Sequence, residues 1–379
     1  MSHISHHSPS SHAKVLITGA TGFIGGALAA RLIHTEHWAD LLFLVRAPHK
    51  EDGLMRLAHN LRLHGIDDPL IDRLHLDQIL CGDLMRVRDW INDPRLHTIE
   101  RVVNSAAIAS FGKHPSIFPT NLNGVLEMAQ GLAARAPLQR FLQISTGMAC
   151  AMDQPHPVHE SYCPDADAVH FLDYTQSKFE AEQALKTQLP QLPLVIARPS
   201  IVVGHTQLGC AASGSIYWVF RLARALQAFP CTLDQKIDVI PVDYCAQAIA
   251  CLLFKDTLQH SHYNISASES ASCSFAQIDA AIAAALRQKP MRHYQQKDYG
   301  EFLAMQNEFK THIGPCNKRI VLKAIRSYGY FASQEILFRN ANLLEEGLPT
   351  PTPFADYAGL CEITSQQTLI ADQMRADYK

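Results

Sequence analysis

No stretch of the 379-residue chain offers the uninterrupted apolar run of about eighteen residues that a membrane-crossing helix needs, so no membrane span is expected. An excess of charge of one sign is missing too. Thirty-three basic residues face 36 acidic ones, a formal charge of −3. That balance argues against a general nucleic-acid binder, and no nucleic-acid partner is expected. The ten cysteines include no CxxC pair and no metal-ligand spacing. They point to a reduced, cytoplasmic protein without a metal site rather than to a disulfide scaffold. The N-terminus, MSHISHHSPSSHAK, lacks the apolar core of a signal peptide. Residues 1–13 are read as a disordered tail.

What is present is core-forming. The chain is 47% hydrophobic and 18% charged, an ordinary globular balance. Short apolar runs at 14–18, 41–45, 77–83, 101–107, 140–146 and 192–204 alternate with helix-period segments at 23–34, 53–64, 117–135 and 175–189. Strands buried on both faces read as continuous apolar runs, and strand–helix alternation builds a parallel sheet. The expected fold is α/β: a doubly wound parallel Rossmann sheet with a smaller, mainly helical substrate-side C-terminal lobe. The sheet domain is placed at 14–206, with 236–270 returning to it, and the lobe at 207–235 and 271–379. Asp243 is the candidate N-cap of a helix inside 236–254, and the pattern weakens beyond about 290.

The sharpest motif is TGATGFIG, Thr18 to Gly25, which closes the first strand and opens the first helix. Gly19 allows a tight turn, Gly22 lets a pyrophosphate approach the backbone, and Gly25 lets helix and strand pack closely. Thr18, Thr21, Phe23 and Ile24 complete the loop, whose helix N-terminus offers unpaired N–H groups to phosphates. Arg46 ends the second strand, where many NAD-binding folds carry an acid. A cation there favours the 2′-phosphate of NADP, and Lys50 stands close by in sequence. Asp83 and Leu84 after the third strand belong beside the adenine. Asn104 and Ala106 at the fourth border the diphosphate or ribose.

Tyr174 and Lys178 form the chain's single YxxxK, at the start of a helix after the fifth strand. A spacing of four places both on one helix face. A phenol ionises near pH 10, and a neighbouring ammonium is expected to bring that down. Lys178 also suits the cofactor ribose. Thr146 ends the fifth strand and is favoured as the hydroxyl beside the substrate oxygen, with Ser145 the alternative. Asn121 stands where it can hold a water or backbone group near Lys178.

Taken together, TGATGFIG, GDL, NSAA, Asn121, ST, YTQSK and RPSIVVG resemble the extended short-chain dehydrogenase/reductase superfamily, over about residues 14–270. Within it, LVRA, STGM and RPSIVVG followed by IPVDYCAQAIA are most similar to the male-sterility, fatty acyl reductase and thioester reductase branch. The resemblance implies catalysis by Tyr174, Lys178 and Thr146, NAD(P) on the glycine-rich loop, and Pro199 of RPSIVVG beside the cofactor. Asn104 stands where the superfamily usually has His.

The branch implies NADPH-dependent reduction of an acyl thioester, on coenzyme A or an acyl or peptidyl carrier protein, to aldehyde or, with a second hydride, to alcohol. The rivals are an NADP-dependent carbonyl or alcohol oxidoreductase for a small or steroid-like ketone, a sugar-nucleotide epimerase or dehydratase, and a non-catalytic NADP-binding sensor. Two further stretches have two readings each. The basic run at 310–326 is a solvated helix face or a dock for an acidic carrier protein or a coenzyme A phosphate. The aromatic run at 216–229 is buried core or an acyl pocket.

Overall fold

The computed structural model describes residues 13–152 and 154–377, so most of the expected N-terminal tail lies outside the described residues. Seven strands form one parallel sheet: β1 (Val15–Thr18), β2 (Leu41–Val45), β3 (Ile79–Cys81), β4 (Arg101–Asn104), β5 (Arg140–Ile144), β6 (Leu194–Pro199) and β7 (His262–Ile265). Their spatial order is β7-β6-β5-β4-β1-β2-β3, and every neighbouring pair is parallel. The order reverses between β1 and β4. In an open α/β sheet, that reversal opens a crevice at the strands' carboxyl ends.

The sheet is covered on both faces, which is why its strands carry unbroken apolar runs. α1 (Phe23–Leu32), α2 (Lys50–Leu63) and α6 (Val242–Phe254) contribute to one apolar cluster with Ile17, Phe43 and Tyr263. α3 (Val125–Ala133) packs with Leu16, Leu42 and Phe141 in another, to which α4 (Asp173–Gln188) adds Leu185. α6 begins after Pro241 in the N-cap position. Asp243 therefore sits in the first turn, and its carboxylate accepts instead from the Thr206 backbone N–H at 3.1 Å and hydroxyl at 2.6 Å.

The expected sixth strand divides. After β6, Ile201–Val202 leaves the sheet and pairs with Val239–Ile240. The remaining lobe is mainly helical: α5 (Trp218–Leu226), α7 (Phe275–Ala285), α8 (Lys318–Ser333), α9 (Phe354–Ser365) and α10 (Ile370–Asp377). α7 starts with a capping box in which Ser274 and Gln277 satisfy each other's backbone N–H groups. The aromatic run is core: Tyr217 and Trp218 are buried and pack in one cluster with Phe354 and Tyr357. The basic run spans two helices, and α8 turns Val321, Leu322 and Ile325 inward while Lys318 and Arg319 stay outside the core.

The fold is thus a Rossmann-like parallel sheet with flanking helices and a smaller, mostly helical C-terminal lobe. No described helix is long and apolar enough to cross a membrane. Among the described residues no His, Cys, Asp and Glu cluster is arranged to hold a metal, and all ten cysteines are free thiols.

Candidate active site

The crevice at the reversal point is lined by Thr18, Gly19, Thr21 and Gly22 after β1, Arg46 after β2, Asp83 and Leu84 after β3, and Ala106 after β4. Gly19 adopts φ +76°, and a Cβ there would fall 2.6 Å from the Ala106 nitrogen, so neither conformation nor space admits a side chain. A Cβ on Gly25 would meet the Gly19 oxygen at 2.3 Å, the tight helix–strand approach its position predicts. This backbone cradle with a guanidinium at its far end fits an adenine dinucleotide carrying a 2′-phosphate.

Three residues of this wall were not anticipated. Arg56, on α2, lines the crevice beside Arg46 and donates to the Arg46 carbonyl oxygen. Thr120 joins the lining from the other side. Asn60, also on α2, donates to the carbonyl oxygens of Ala20 and Gly22 at 2.9 and 3.0 Å and so braces the glycine loop. No local motif marks any of them, because each reaches the site only through the packing of its helix.

Other expected cofactor residues stand elsewhere. Phe23 packs against α6 residues and stacks on His64, Ile24 joins the core, and Gly25 is buried under the loop. Pro199 is buried at the end of β6 beside Ile265 of β7. Asn104 requires a correction. It is wholly buried, accepts from the Thr18 hydroxyl at 2.6 Å and donates to Gln143 Oε1 at 2.9 Å. Its amide is consumed inside the sheet, linking β1, β4 and β5, and does not face the crevice. The Thr18 hydroxyl in turn accepts from the Ala106 backbone N–H at 3.1 Å, fixing the loop after β4.

Tyr174 and Lys178 lie in the first turns of α4. The Lys178 ammonium is buried and donates to the Ile144 carbonyl oxygen, the last of β5, at 2.8 Å. Burial draws it down to about 8, partly opposed by Glu182. The Tyr174 phenol moves opposite to expectation: burial pushes it up to about 12. The ammonium is engaged by a carbonyl while desolvation acts on the phenol unopposed, so here the phenol remains a protonated donor.

Thr146 caps the turn Gly147–Cys150, its hydroxyl accepting from the Met148 N–H at 3.2 Å. The Ser145 hydroxyl is buried near the Glu182 carboxylate. Asn121 stands in a π-helical turn, Pro119–Gly124, a local widening often found at functional sites. Its amide grips both backbone groups of Ile108, at 2.8 and 3.1 Å, and donates to the Ser177 hydroxyl at 3.1 Å. Ile108 lines the crevice, and Ser177 adjoins Lys178. Asn121 therefore ties the Tyr174–Lys178 helix to the crevice wall.

An aromatic cluster stands next to this helix. Phe171, just before α4, stacks on Tyr330 at 4.2 Å, and Phe111, in the loop after β4, stacks on Tyr328 at 4.5 Å. Phe331 meets both edge-on, at 5.9 and 6.0 Å. α8 of the C-terminal lobe thereby joins the two segments that flank the site.

The chain is 25% identical to the isonitrile lipopeptide synthase of Streptomyces coeruleorubidus over 242 residues, 62% of this chain and 16% of that protein. It is 24% identical to aldehyde reductase lnbA of Aspergillus flavus over 262 residues, 62% of this chain and 24% of that protein. The chain thus spans less than two thirds of the curated relatives it matches. Among solved structures, the terminal R domain from the myxalamid PKS-NRPS pathway superposes with a TM-score of 0.76 at 19% identity, covering 95% of this chain and 92% of that one. A thiolation-reductase di-domain from an archaeal non-ribosomal peptide synthetase gives 0.68 at 20% identity, covering 94% and 75%. These likenesses show that the chain shares the fold of those two structures. A family model described as male sterility protein matches residues 17–249, from the glycine loop through Lys178 and into α6, which is more than half of the chain, and the chain belongs to that family.

Proposed function

We propose that the protein is an NADPH-dependent reductase of acyl thioesters, carried on coenzyme A or on an acyl or peptidyl carrier protein, giving an aldehyde and free thiol. The observation that carries this reading is the Asn121 bridge, which sets the Tyr174–Lys178 helix and the dinucleotide crevice on one shared wall. Relatives named as a lipopeptide synthase and as an aldehyde reductase support the substrate class.

In this reading the glycine loop holds the diphosphate, and Arg46 with Arg56 holds the 2′-phosphate. NADPH, when bound, supplies a hydride. Thr146 and Tyr174 direct their hydroxyls at the substrate carbonyl oxygen and stabilise the charge it gains. Tyr174, protonated at neutral pH, delivers the proton. Lys178 holds the cationic end of the pair, anchored on Ile144. One hydride and one proton added to a thioester give a hemithioacetal, and its collapse releases aldehyde and thiol. A second round would carry the aldehyde to alcohol.

The test is NADPH oxidation across acyl-CoAs, carrier-linked acyl groups, aldehydes and ketones, with thiol release followed in parallel. Thiol appearing in proportion to NADPH consumed supports the reading. Turnover of ketones alone would replace it with a carbonyl reductase.

A further inference from the structure

Tyr174, Lys178 and Glu182 occupy successive turns along one face of α4. Lys178 and Glu182 are 3% and 0% exposed. Arg198 on β6 fixes Glu182, with Nη2 donating to Oε2 at 2.5 Å and Nε to both carboxylate oxygens at 3.1 and 3.2 Å. The remaining arm of Arg198 donates to the carbonyl oxygens of Tyr162 and Glu160 at 3.0 and 3.4 Å. Glu182 is thus immobile, and its position is set by a neighbouring strand rather than by its own helix.

This cluster holds two buried cations and one buried anion. A buried ion pair contributes little net stability compared with apolar side chains of the same size. Among the described residues, Lys178 has a neutral carbonyl, Ile144 O, as its hydrogen-bond acceptor. Among the described residues, Glu182 is the carboxylate that acts on Lys178, and the other groups around the pair are these. Lys186 is the next residue on this face of α4 and is cationic. Ser145, just after β5, contributes a hydroxyl. His262 on β7 is held neutral, drawn down to about 4 by burial. The Cys150 thiol, pushed up to about 12, and the Cys163 thiol face Arg198. The Glu160 carboxylate is occupied by the Asn342 N–H at 2.9 Å.

We propose that Glu182, clamped by Arg198, is a positioning residue for the reaction: its carboxylate keeps the Lys178 ammonium charged one helical turn from Tyr174. This rests on the reading of Tyr174 and Lys178 as the working pair, and it adds a third and fourth member that act through Lys178 without touching substrate. The Lys178 midpoint near 8 already lies close to neutrality. Without the carboxylate it falls further, because burial then acts unopposed and the Arg198 charge has no partner.

The experiment is a pH titration of the Lys178 side-chain Cε resonance in lysine-labelled apo protein, assigned with Lys178→Arg. It compares the parent, Glu182→Gln, and Glu182→Gln/Arg198→Met, which removes both charges and so avoids an orphaned guanidinium. The expected midpoint in both variants is lower by about one pH unit or more, and the alkaline limb of kcat/KM falls in step. A double variant whose thermal transition matches the parent and whose Lys178 midpoint is unmoved would overturn the proposal and leave the pair a structural brace. The titration needs no substrate. A parent protein inactive on every thioester would refute the proposed function while the resonance still decides the role of Glu182.

Discussion

The Lys178 ammonium and the Gln143 side-chain amide donate to the same carbonyl oxygen, that of Ile144, at 2.8 and 3.2 Å. Gln143 also accepts from Asn104, and Asn104 accepts from Thr18, whose hydroxyl receives the Ala106 N–H. A chain of buried hydrogen bonds thus runs from the crevice wall through three strands to the lysine anchor. Such networks specify one arrangement because every member is satisfied by its neighbours.

Asn104→Ala cuts this chain in the middle. It leaves the Thr18 hydroxyl proton without an acceptor and the Gln143 carbonyl oxygen without a donor, and each unmade bond costs about 1–3 kcal/mol. The expected loss is about 2–4 kcal/mol in urea unfolding, with the NADPH-over-NADH preference unchanged because the amide does not face the crevice. A variant of parental stability with altered cofactor preference would return Asn104 to the binding surface.

Tyr174→Phe removes the proposed proton donor and keeps the ring. The ring keeps its place in the turn, so folding stability stays within about 1 kcal/mol of the parent. Turnover is expected to fall by about 10²–10⁴-fold, the usual weight of a positioned acid. NADPH affinity, followed by nicotinamide fluorescence, stays near the parental value. Full activity in this variant would exclude Tyr174 from the chemistry and return attention to a sensor.

Arg46→Ser and Arg56→Ser test the cofactor's phosphate. Hydrogen bonds to a charged partner contribute about 1.5–3 kcal/mol, and exposure of Arg46 places it at the low end. Each substitution is expected to weaken NADPH binding about 10-fold and to leave NADH binding unchanged, as read by calorimetric titration. Equal losses for the two cofactors would mean that the arginines brace the loop rather than read the phosphate.

How legible the site was depended on whether its parts were contiguous in sequence. TGATGFIG, Arg46 and Asp83 each lie within a turn of a strand end, and parallel strands bring those ends together whatever the rest of the chain does, while Tyr174 and Lys178 are legible as a pair four apart on one helix. Asn104 misled because a strand-end polar residue faces either a ligand or the next strand, and only the Gln143 partner decides which. Arg56 and Asn60 stand on a helix whose rotation about its axis is fixed by buried Leu57 and Leu61. The weakening beyond residue 290 reflects short helices such as Tyr299–Ala304 and Phe309–Ile313, each too brief for a periodic signal. α8 does carry inward apolar residues at helical spacing, but Lys318, Arg319, Lys323 and Arg326 interrupt them and give the stretch its basic look.

The aromatic cluster gives a prediction about access. Phe331 touches Phe111 and Phe171 edge-on and so closes the gap between the loop after β4 and the start of α4. Phe331→Ala removes a half-buried ring and is expected to destabilise by about 2–3 kcal/mol, below the full cost of a core aromatic. If substrates reach Tyr174 past this cluster, KM for bulky acyl thioesters falls while NADPH affinity holds. An unchanged ranking of acyl groups would place their path elsewhere.

The last prediction concerns acid stability. His64 follows α2 and is buried with neither ring nitrogen hydrogen-bonded by a described residue, its ring stacked on Phe23 at a centroid distance of 6.1 Å. Burial, with a smaller push from His205, draws it down to about 4 from an ordinary 6.5. The unfolded chain therefore takes up a proton as pH falls through 6.5, while the folded chain resists until about 4. Stability is fully present above 6.5 and drains away over that window, by about 3 kcal/mol for this one residue. His64→Phe keeps a ring of similar size against Phe23 and cannot ionise. Its unfolding free energy, measured in urea from pH 7 to 4, should fall less steeply than the parent's, the two curves parting below pH 6.5. Parallel curves would mean that the His64 ring finds solvent or a partner in the folded state and titrates as an ordinary imidazole.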